Sequence, residues 1–381
     1  MASGQSSPNP PVGAIVVKDG RIVGQGVHLS AGGPHAEVHA LKMAGEDARD
    51  GTIYVTLEPC NHHGRTPPCT DAILSFGIRR VVVGSVDPNP KVTGHGLQRL
   101  RDAGLDVTVG VLKEQADKLN EVFLHYVTKE RPFVVWKCAA TLDGYIAALS
   151  GHSQYVTGDK ARAEVQTLRR GFAGIAVGIG TVLKDNPRLT VRDEFGPISA
   201  KGQPKRFVFD SQLRMPKDAK LLYEPGETFI ITTEQAAQKK LDIIREFTNI
   251  PGVSVLPVEH EHGYAFELGH GREYEHGRVS LKHAFAEISK HGVMSILLEG
   301  GSKLVSACFR ERFIDKVVYY IAPKFLGGGI QALFGNTTES MANAVSLRDI
   351  SFRQVGEDLC VEGYPLYEED EGFCSQDLLK N

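Results

Sequence analysis

Along the first third of the chain, the spacing of apolar residues switches repeatedly between strand and helix patterns. VGAIVVKDG followed by RIVGQGVH predicts two strands joined by a Lys18-Asp19-Gly20 turn, because Asp-Gly between apolar runs is a strong hairpin signal. HAEVHALKMAG (35–45) carries apolar residues at helical spacing, and Gly45 is placed as its stop. TIYVTLEPC reads as a buried strand, CTDAILSFG (69–77) as a short helix ended by Gly77, and RRVVVGSVDP as another strand. GHGLQRLRDAG and LDVTVGVL continue as helix and strand, and EQADKLNEVFLHYVTKERP as a helical connector that stops at Pro132. Alternation resumes at FVVWKCAATLDG (133–144) and runs through AGIAVGIGTVLKDNP, KRFVFDSQ, ETFIITT, MSILLEGG and DKVVYYIAPKFLGG. Both halves are expected to be α/β layers of sheet and helix. The segment 259–278, EHEHGYAFELGHGREYEHGR, has no period and is expected to be an exposed loop insertion. The tail from 367 to 381 is acidic and expected to fray.

Length adds that 381 residues exceed one ordinary core, so two domains are expected, over 1–128 and 129–366. A hydrophobic content of 41% with 23% charged residues leaves no room for extensive disorder. The formal net charge of −3, with both signs mixed along the chain, argues against a nucleic-acid partner. No apolar run approaches a membrane span, and MASGQSSPNP lacks the charged and apolar regions of a signal peptide. Six scattered cysteines do not make a disulfide scaffold. A reducing, cytoplasmic setting follows, in which a cysteine pair points to metal.

The candidate chemistry centres on LEPCNHHGRTPPC (57–69). A closed structural zinc site takes four protein ligands at short spacings, and the adjacent His62 and His63 seldom reach one tetrahedral ion together. Upstream, His35-Ala36-Glu37 opens a predicted helix after a Gly32-Gly33-Pro34 turn. H-x-E followed by Pro-Cys and a later Cys is the zinc-deaminase pattern, here with a wider cysteine spacing. His35, Cys60 and Cys69 would then hold Zn2+ as one neutral imidazole and two thiolates, leaving a fourth position for water. Glu37 would be the general acid/base and not a ligand. His35 and Cys69 both begin predicted helices, whose dipoles favour anions at the ion.

These residues resemble a known family. SPNPPVGAIVVKDG, GGPHAEVHAL, YVTLEPCNHHGRTPPCTDAI and VDPNPKVTGHG look like the deaminase half of the bifunctional riboflavin-biosynthesis deaminase/reductases. KCAATLDG, SGHSQYVT, VGIGTVLKDNPRLTVR, LLEGGSKLV and YIAPKFLGG resemble the matching reductase half. The resemblance implies a cytidine-deaminase-like α/β/α domain followed by a dihydrofolate-reductase-like α/β domain. It implies zinc-dependent deamination of 2,5-diamino-6-(5-phosphoribosylamino)pyrimidin-4-one, then NADPH-dependent reduction of the ribosyl chain to ribityl. Matching positions put zinc on His35, Cys60 and Cys69, with Glu37 as proton shuttle, and the deaminase substrate against Asn9 and the segment from His62 through Arg65 to Thr66. Others put NADPH on Ala139, Tyr155, Thr181, Asp185 and Gly301, Ser302, Lys303, Leu304, Val305, Ser306 and Ala307. The reductase substrate falls on Ser153, Arg169, Leu189, Arg192 and Glu299. Lys137 and Asp143 lie in the KCAATLDG motif without an assigned role. The residues themselves support one point: EGGS after the strand MSILL places glycine N–H groups at a helix start, suited to a cofactor phosphate.

Three departures stand out. The family's deaminase domain opens with a helix before the S/T-x-N-P segment, whereas only MASGQSS precedes Pro8 here. Loss of that cover is expected to leave apolar sheet surface exposed and the deaminase half the less stable of the two. Asn61 stands where the family commonly has serine, and the His-rich insertion has no counterpart. The rival readings are a nucleoside or tRNA deaminase with an accessory domain, a closed structural zinc module, and an enzyme with one active half. A small phosphorylated pyrimidine is the expected partner, with no nucleic acid or membrane, and a homo-oligomer is the expected assembly.

Overall fold

Asp19 and Gly20 both take positive φ, 51° and 75°, the backbone of the two-residue turn that joins β1 (Gly13–Lys18) to β2 (Arg21–Val27). The structure, a computed structural model, describes residues 9–29, 32–63, 67–89, 92–193, 196–261, 265–268, 271–274, 277–335 and 340–367. The chain divides into two compact units between Pro132 and Phe133.

In the first unit, α1 (Ala36–Ala44) precedes β3 (Thr52–Leu57), α2 (Cys69–Ser75), β4 (Arg80–Ser85), α3 (His95–Asp102) and β5 (Asp106–Val109). The five strands form one sheet in the order β2-β1-β3-β4-β5. β1 is antiparallel to both neighbours, and β3, β4 and β5 are parallel. Helix α1 lies directly on β1 and β2, and two glycines make that approach possible. A Cβ on Gly24 would sit 2.1 Å from the Ala40 carbonyl oxygen, and one on Gly26 would sit 2.1 Å from that of Ala36. Ala36, Ala40 and Leu41 thereby bury against Ala14, Val16, Ile53 and Val55. On the opposite face the paired Ile15 and Tyr54 are exposed.

The expected single connector is two helices, α4 (Lys113–Leu119) and α5 (Glu121–Lys129). Asn120 breaks them: it leaves helical geometry at φ −104°, and its side-chain amide donates to the Ala116 carbonyl at 3.2 Å. A short polar side chain competing for helix carbonyls accounts for the interruption.

The second unit begins with β6 (Phe133–Thr141), β7 (Tyr145–Ala147), α6 (Asp159–Arg170), β8 (Gly174–Gly178) and α7 (Ile179–Asp185). A small pair, β9 (Arg192–Asp193) and β10 (Gly196–Pro197), precedes β11 (Lys205–Phe209), β12 (Thr228–Thr233), α8 (Glu234–Lys239), α9 (Leu241–Thr248) and β13 (Val253–Val258). The His-rich segment is not the structureless loop expected. β14 (His260–Glu261) pairs with β17 (Arg278–Val279), and between them β15 (Ala265–Leu268) pairs with β16 (Gly271–Tyr274). Antiparallel ladders form through backbone groups alone, so the missing apolar period did not reveal them.

Then come α10 (Leu281–Lys290), β18 (Ser295–Glu299), α11 (Ser302–Arg310), β19 (Lys316–Ala322), β20 (Ile330–Gln331), β21 (Leu347–Val355) and β22 (Asp358–Pro365). Nine strands form the main sheet in the order β13-β12-β11-β8-β18-β6-β19-β22-β21. Neighbours from β13 to β19 are parallel, and the last two pairings are antiparallel. The central strands read as unbroken apolar runs because both faces are covered. Val134, Trp136, Ala176, Phe207, Ile231 and Leu298 are all buried there. Among the described residues, no helix is long and apolar enough to cross a membrane. The acidic tail beyond Tyr367 lies outside the described residues.

Candidate active sites

The first site forms where α1 and α2 begin. His35 is the N-cap of α1, Cys69 is the first residue of α2, and Cys60 lies between β3 and α2. His35 Nδ1 is 3.1 Å from Cys69 Sγ and 3.4 Å from Cys60 Sγ, and the three ligand atoms all lie within 4.8 Å of one another. The Cys69 backbone N–H donates to Cys60 Sγ at 3.4 Å, so a free amide of the α2 start already faces a sulfur. The hydrogen bond between the thiols, with help from His35, draws Cys60 down to about 4 against the opposing effect of burial. That hydrogen bond and burial push Cys69 up.

Glu37 sits on the first turn of α1, only 3% exposed, and its Oε2 is buried without a hydrogen-bond partner. Burial raises its pKa. An imidazole, two thiols and an orphaned carboxylate oxygen fit a tetrahedral zinc ion with one position left open. A structural site would be closed by a fourth protein ligand, and none stands within that cluster among the described residues.

Asn9 reaches the site through a histidine that the sequence reading did not single out. Its Nδ2 is 2.9 Å from His28 Nε2, while His28 Nδ1 is 3.1 Å from the Pro34 carbonyl oxygen. The His28 ring, 2% exposed, meets the His35 ring edge-on at 5.2 Å. Glu58, also missed, is a buried brace. Its Oε2 accepts from the Gly94 N–H at 3.0 Å and its Oε1 from the Gly96 N–H at 3.1 Å. Asn61 Oδ1 accepts from Thr70 Oγ1 at 2.9 Å and from the Arg99 guanidinium at 2.8 Å, tying the segment between the cysteines to α2 and α3. His62 is exposed; Arg65 and Thr66 lie outside the described residues.

The second site is a cavity of about 930 Å³ in the second unit, open at the carboxyl ends of the parallel strands. It is lined by Ala139, Ser153, Tyr155, Thr181, Asp185, Arg169, Leu189, Glu299 and Gly301, with Ser302, Lys303, Leu304, Val305 and Ala307 of α11. Two expected residues stand apart. Ser306 is buried, its Oγ accepting from the Phe334 N–H at 3.0 Å, and exposed Arg192 is on β9 with its N–H on Gln166 Oε1 at 3.1 Å. Gly300 and Gly301, both at φ 83°, turn the chain into α11. A Cβ on Gly301 would lie 3.3 Å from Thr181 Oγ1 and 3.5 Å from the Gly178 nitrogen, so bare backbone forms the cradle at the helix start.

Beside it, Arg169 and Glu299 form a buried two-point pair, Nε to Oε1 at 2.6 Å and NH2 to Oε2 at 2.8 Å. Burial pushes the Glu299 carboxyl up, but the Arg169 guanidinium outweighs it and holds the group below its ordinary range. Ser153 Oγ donates to Asp185 Oδ1 at 3.2 Å, joining an expected substrate residue to an expected cofactor residue. Asp143 has a structural task. Its carboxylate accepts from Thr141 Oγ1 at 2.6 Å, from the Leu326 N–H at 3.0 Å and from the Gly327 N–H at 2.8 Å.

The family model for the RibD C-terminal domain matches residues 132–361, and that for the cytidine and deoxycytidylate deaminase zinc-binding region matches residues 1–85. The riboflavin biosynthesis protein RibD of Aquifex aeolicus is 42% identical over 359 residues, spanning 94% of this chain and 93% of that protein. The chain belongs to the RibD family. The RibD of Escherichia coli is 40% identical over 93% of both chains. A solved RibD structure from Acinetobacter baumannii superimposes with a TM-score of 0.81 at 36% identity, covering 96% of this chain and 95% of that one. A Thermotoga maritima diaminohydroxyphosphoribosylaminopyrimidine deaminase/5-amino-6-(5-phosphoribosylamino)uracil reductase matches with a TM-score of 0.79, also at 36% identity and the same coverage.

As a RibD, the chain is a bifunctional enzyme of riboflavin biosynthesis, a zinc-dependent deaminase and an NADPH-dependent reductase of a small pyrimidine substrate. The rival readings as a nucleoside or tRNA deaminase and as a closed zinc module give way to it. The first unit carries the cytidine-deaminase-like fold and the second the reductase fold.

Proposed function

We propose that the two chemistries are divided between the two sites described above. Deamination belongs to residues 1–128, with His35, Cys60 and Cys69 as zinc ligands and Glu37 as the proton-transfer group. Reduction belongs to residues 129–366, in the cavity at the head of α11. The observation that carries the deaminase assignment is the buried, unpartnered Glu37 Oε2 beside a three-atom ligand cluster. Zinc bound there supplies a Lewis acid and a water of lowered pKa. Glu37 would carry one proton from the attacking water to the ring nitrogen and then a second, from the hydroxyl newly formed on the ring carbon, to the leaving amine, which departs as ammonia. Asn9, held by His28, and the segment from His62 to Thr66 would contact the substrate, with Arg65 as the partner of its phosphate.

In the cavity, the N–H groups at the start of α11 hold the cofactor pyrophosphate. NADPH supplies the hydride. Ala139, Tyr155, Thr181 and Asp185 would border the cofactor, and Ser153, Arg169, Leu189 and Glu299 the substrate; Arg192, exposed on β9, is assigned to the substrate by the family resemblance alone. Ser306 supports α11 from its buried side and leaves ligand contact to Ser302 and Lys303. A homo-oligomer fits the edge strand β21, which leaves Ile350 and Phe352 exposed. Among the described residues, Cys60, Cys69, Cys138, Cys308 and Cys360 are not joined in disulfides, which fits a cytoplasmic setting.

The test is Glu37→Gln on the full chain, with zinc content and ammonia release measured on one sample. Retained zinc with ammonia release reduced at least ~100-fold, within the usual worth of a proton-transfer group, is expected. Loss of zinc would make Glu37 a ligand and overturn its role.

A further inference from the structure

We propose that Gln203, outside the cavity lining, is a positioning residue for the reduction: its side-chain amide clamps Val191 and so sets Leu189 and Arg169 against the substrate. The inference rests on the reading of Leu189 and Arg169 as neighbours of the substrate in that cavity. Residues 186–191 link α7 to β9 as a strap, and Pro187 and Leu189 of this strap line the cavity. The residues beside them are fastened elsewhere. Asn186 Oδ1 accepts from the Lys220 N–H at 2.9 Å, and the Arg188 guanidinium pairs with the Glu224 carboxylate.

Val191 is gripped on both of its backbone groups. Gln203 Oε1 accepts from the Val191 N–H at 2.8 Å, and Gln203 Nε2 donates to the Val191 carbonyl at 2.9 Å. Nε2 also donates to the Ile198 carbonyl at 3.1 Å. One primary amide thereby pairs with a residue as a neighbouring strand would. No strand does so here, because the β9–β10 ladder ends at Arg192 and Pro197. Val191 is fully buried, so without the amide its N–H would lose its partner away from water.

The clamp is itself fixed from behind. A Cβ on Gly226 would lie 2.9 Å from Gln203 Cβ, so bare backbone packs against the Gln203 stem. Fully buried Arg206 holds that turn by donating to the carbonyls of Glu224 at 3.0 Å, Pro225 at 2.7 Å and Gly226 at 3.0 Å. The effect on the cavity falls one and two residues before Val191. The Thr190 carbonyl accepts from Arg169 NH1 at 3.0 Å, and Arg169 carries the two-point bond to Glu299. Buried Leu189 sits at φ 52°, a conformation that a leucine keeps only where its surroundings impose it. Gln203 and Arg169 grip adjacent residues of the strap, and the Leu189 side chain is presented by that double hold.

The experiment uses the full chain and measures KM for the deaminated intermediate and KM for NADPH in separate titrations. Gln203→Met keeps the stem and removes the amide. It should raise KM for the intermediate about tenfold, the order of the hydrogen bonds lost, and leave KM for NADPH within about twofold. Retained NADPH binding, followed by the fluorescence of the dinucleotide, shows that the variant folds. Leu189→Ala should raise the intermediate KM on its own. The double variant should stay within about threefold of the larger single loss, because one residue acts through the other. Losses that multiply in the double variant, an unchanged intermediate KM in Gln203→Met, or equal rises in both KM values would overturn the role of Gln203. An unchanged intermediate KM in Leu189→Ala would instead remove the substrate from this wall of the cavity.

Discussion

The two sites are built on opposite principles. The zinc cluster draws on three residues whose ligand atoms lie within 4.8 Å of one another, and each is placed by a helix start or the end of a strand. The cavity proposed for reduction spans the ends of four neighbouring parallel strands and encloses about 930 Å³. A metal site is defined by a few side-chain atoms, so a short motif carries nearly all its chemistry. A dinucleotide site is defined by sheet order and bare backbone, and strand adjacency has no local signature.

The sharpest break in this comparison is Cys69→Ser. Zinc content should fall from one per chain to near zero and deamination below detection, while NADPH oxidation with the deaminated intermediate stays within about twofold. Metal analysis and the two separate assays check it. Comparable losses in both assays would contradict the division.

Glu299→Ala comes next and inverts the pattern. It leaves the Arg169 guanidinium buried without its two-point partner, and removing one member of such a pair costs about 3–5 kcal/mol. Thermal unfolding of the second unit should shift down sharply, with zinc content unchanged.

Gly26→Ala probes the first unit at a smaller scale. Its Cβ would meet the Ala36 carbonyl oxygen at 2.1 Å, so α1 must shift, at a cost of about 1–3 kcal/mol. Because Ala36 sits between His35 and Glu37, deamination should fall while reduction holds.

The smallest effect is the pH dependence of the second unit. Arg353 is the chief cause that holds the Glu164 carboxyl below its ordinary value; at Glu299 burial pushes up, but Arg169 prevails. A carboxyl lowered by folding stabilises the fold above its unfolded value of about 4.3 and loses that contribution as pH falls below it. Glu164 and Glu299 should therefore withdraw their contribution to melting of the second unit as pH falls below about 4.3. Asp210 and Glu311, which burial raises, contribute in the opposite direction, and Arg353→Met should remove the Glu164 part of that decline.

What could be read from the chain follows the same division. The hairpin turn at Asp19-Gly20 and the helix stop at Gly45 depend on neighbours in sequence, and the structure shows both. The H-x-E, Pro-Cys and later Cys pattern likewise marks residues that the structure gathers. His28 and Glu58 escaped because nothing beside them distinguishes a buried brace from a strand-end polar residue. Their partners, Asn9 and Gly96, stand 19 and 38 positions away. Ser211 and Arg214 line the cavity and escaped for a topological reason: β11 borders it only because the strand lies beside β8. The break at Asn120 and the strands within the His-rich segment escaped because backbone pairing and side-chain competition leave little trace in apolar spacing.

The carboxylate of Asp143 holds two consecutive backbone amides of a distant loop, those of Leu326 and Gly327. Backbone amides are present whatever the side chains are, and Phe325 beside them is 74% exposed. Related sequences could therefore drift freely in side-chain identity along this loop. A single inserted or deleted residue would move both amides out of reach, so this loop is constrained in its number of residues and not in their kind.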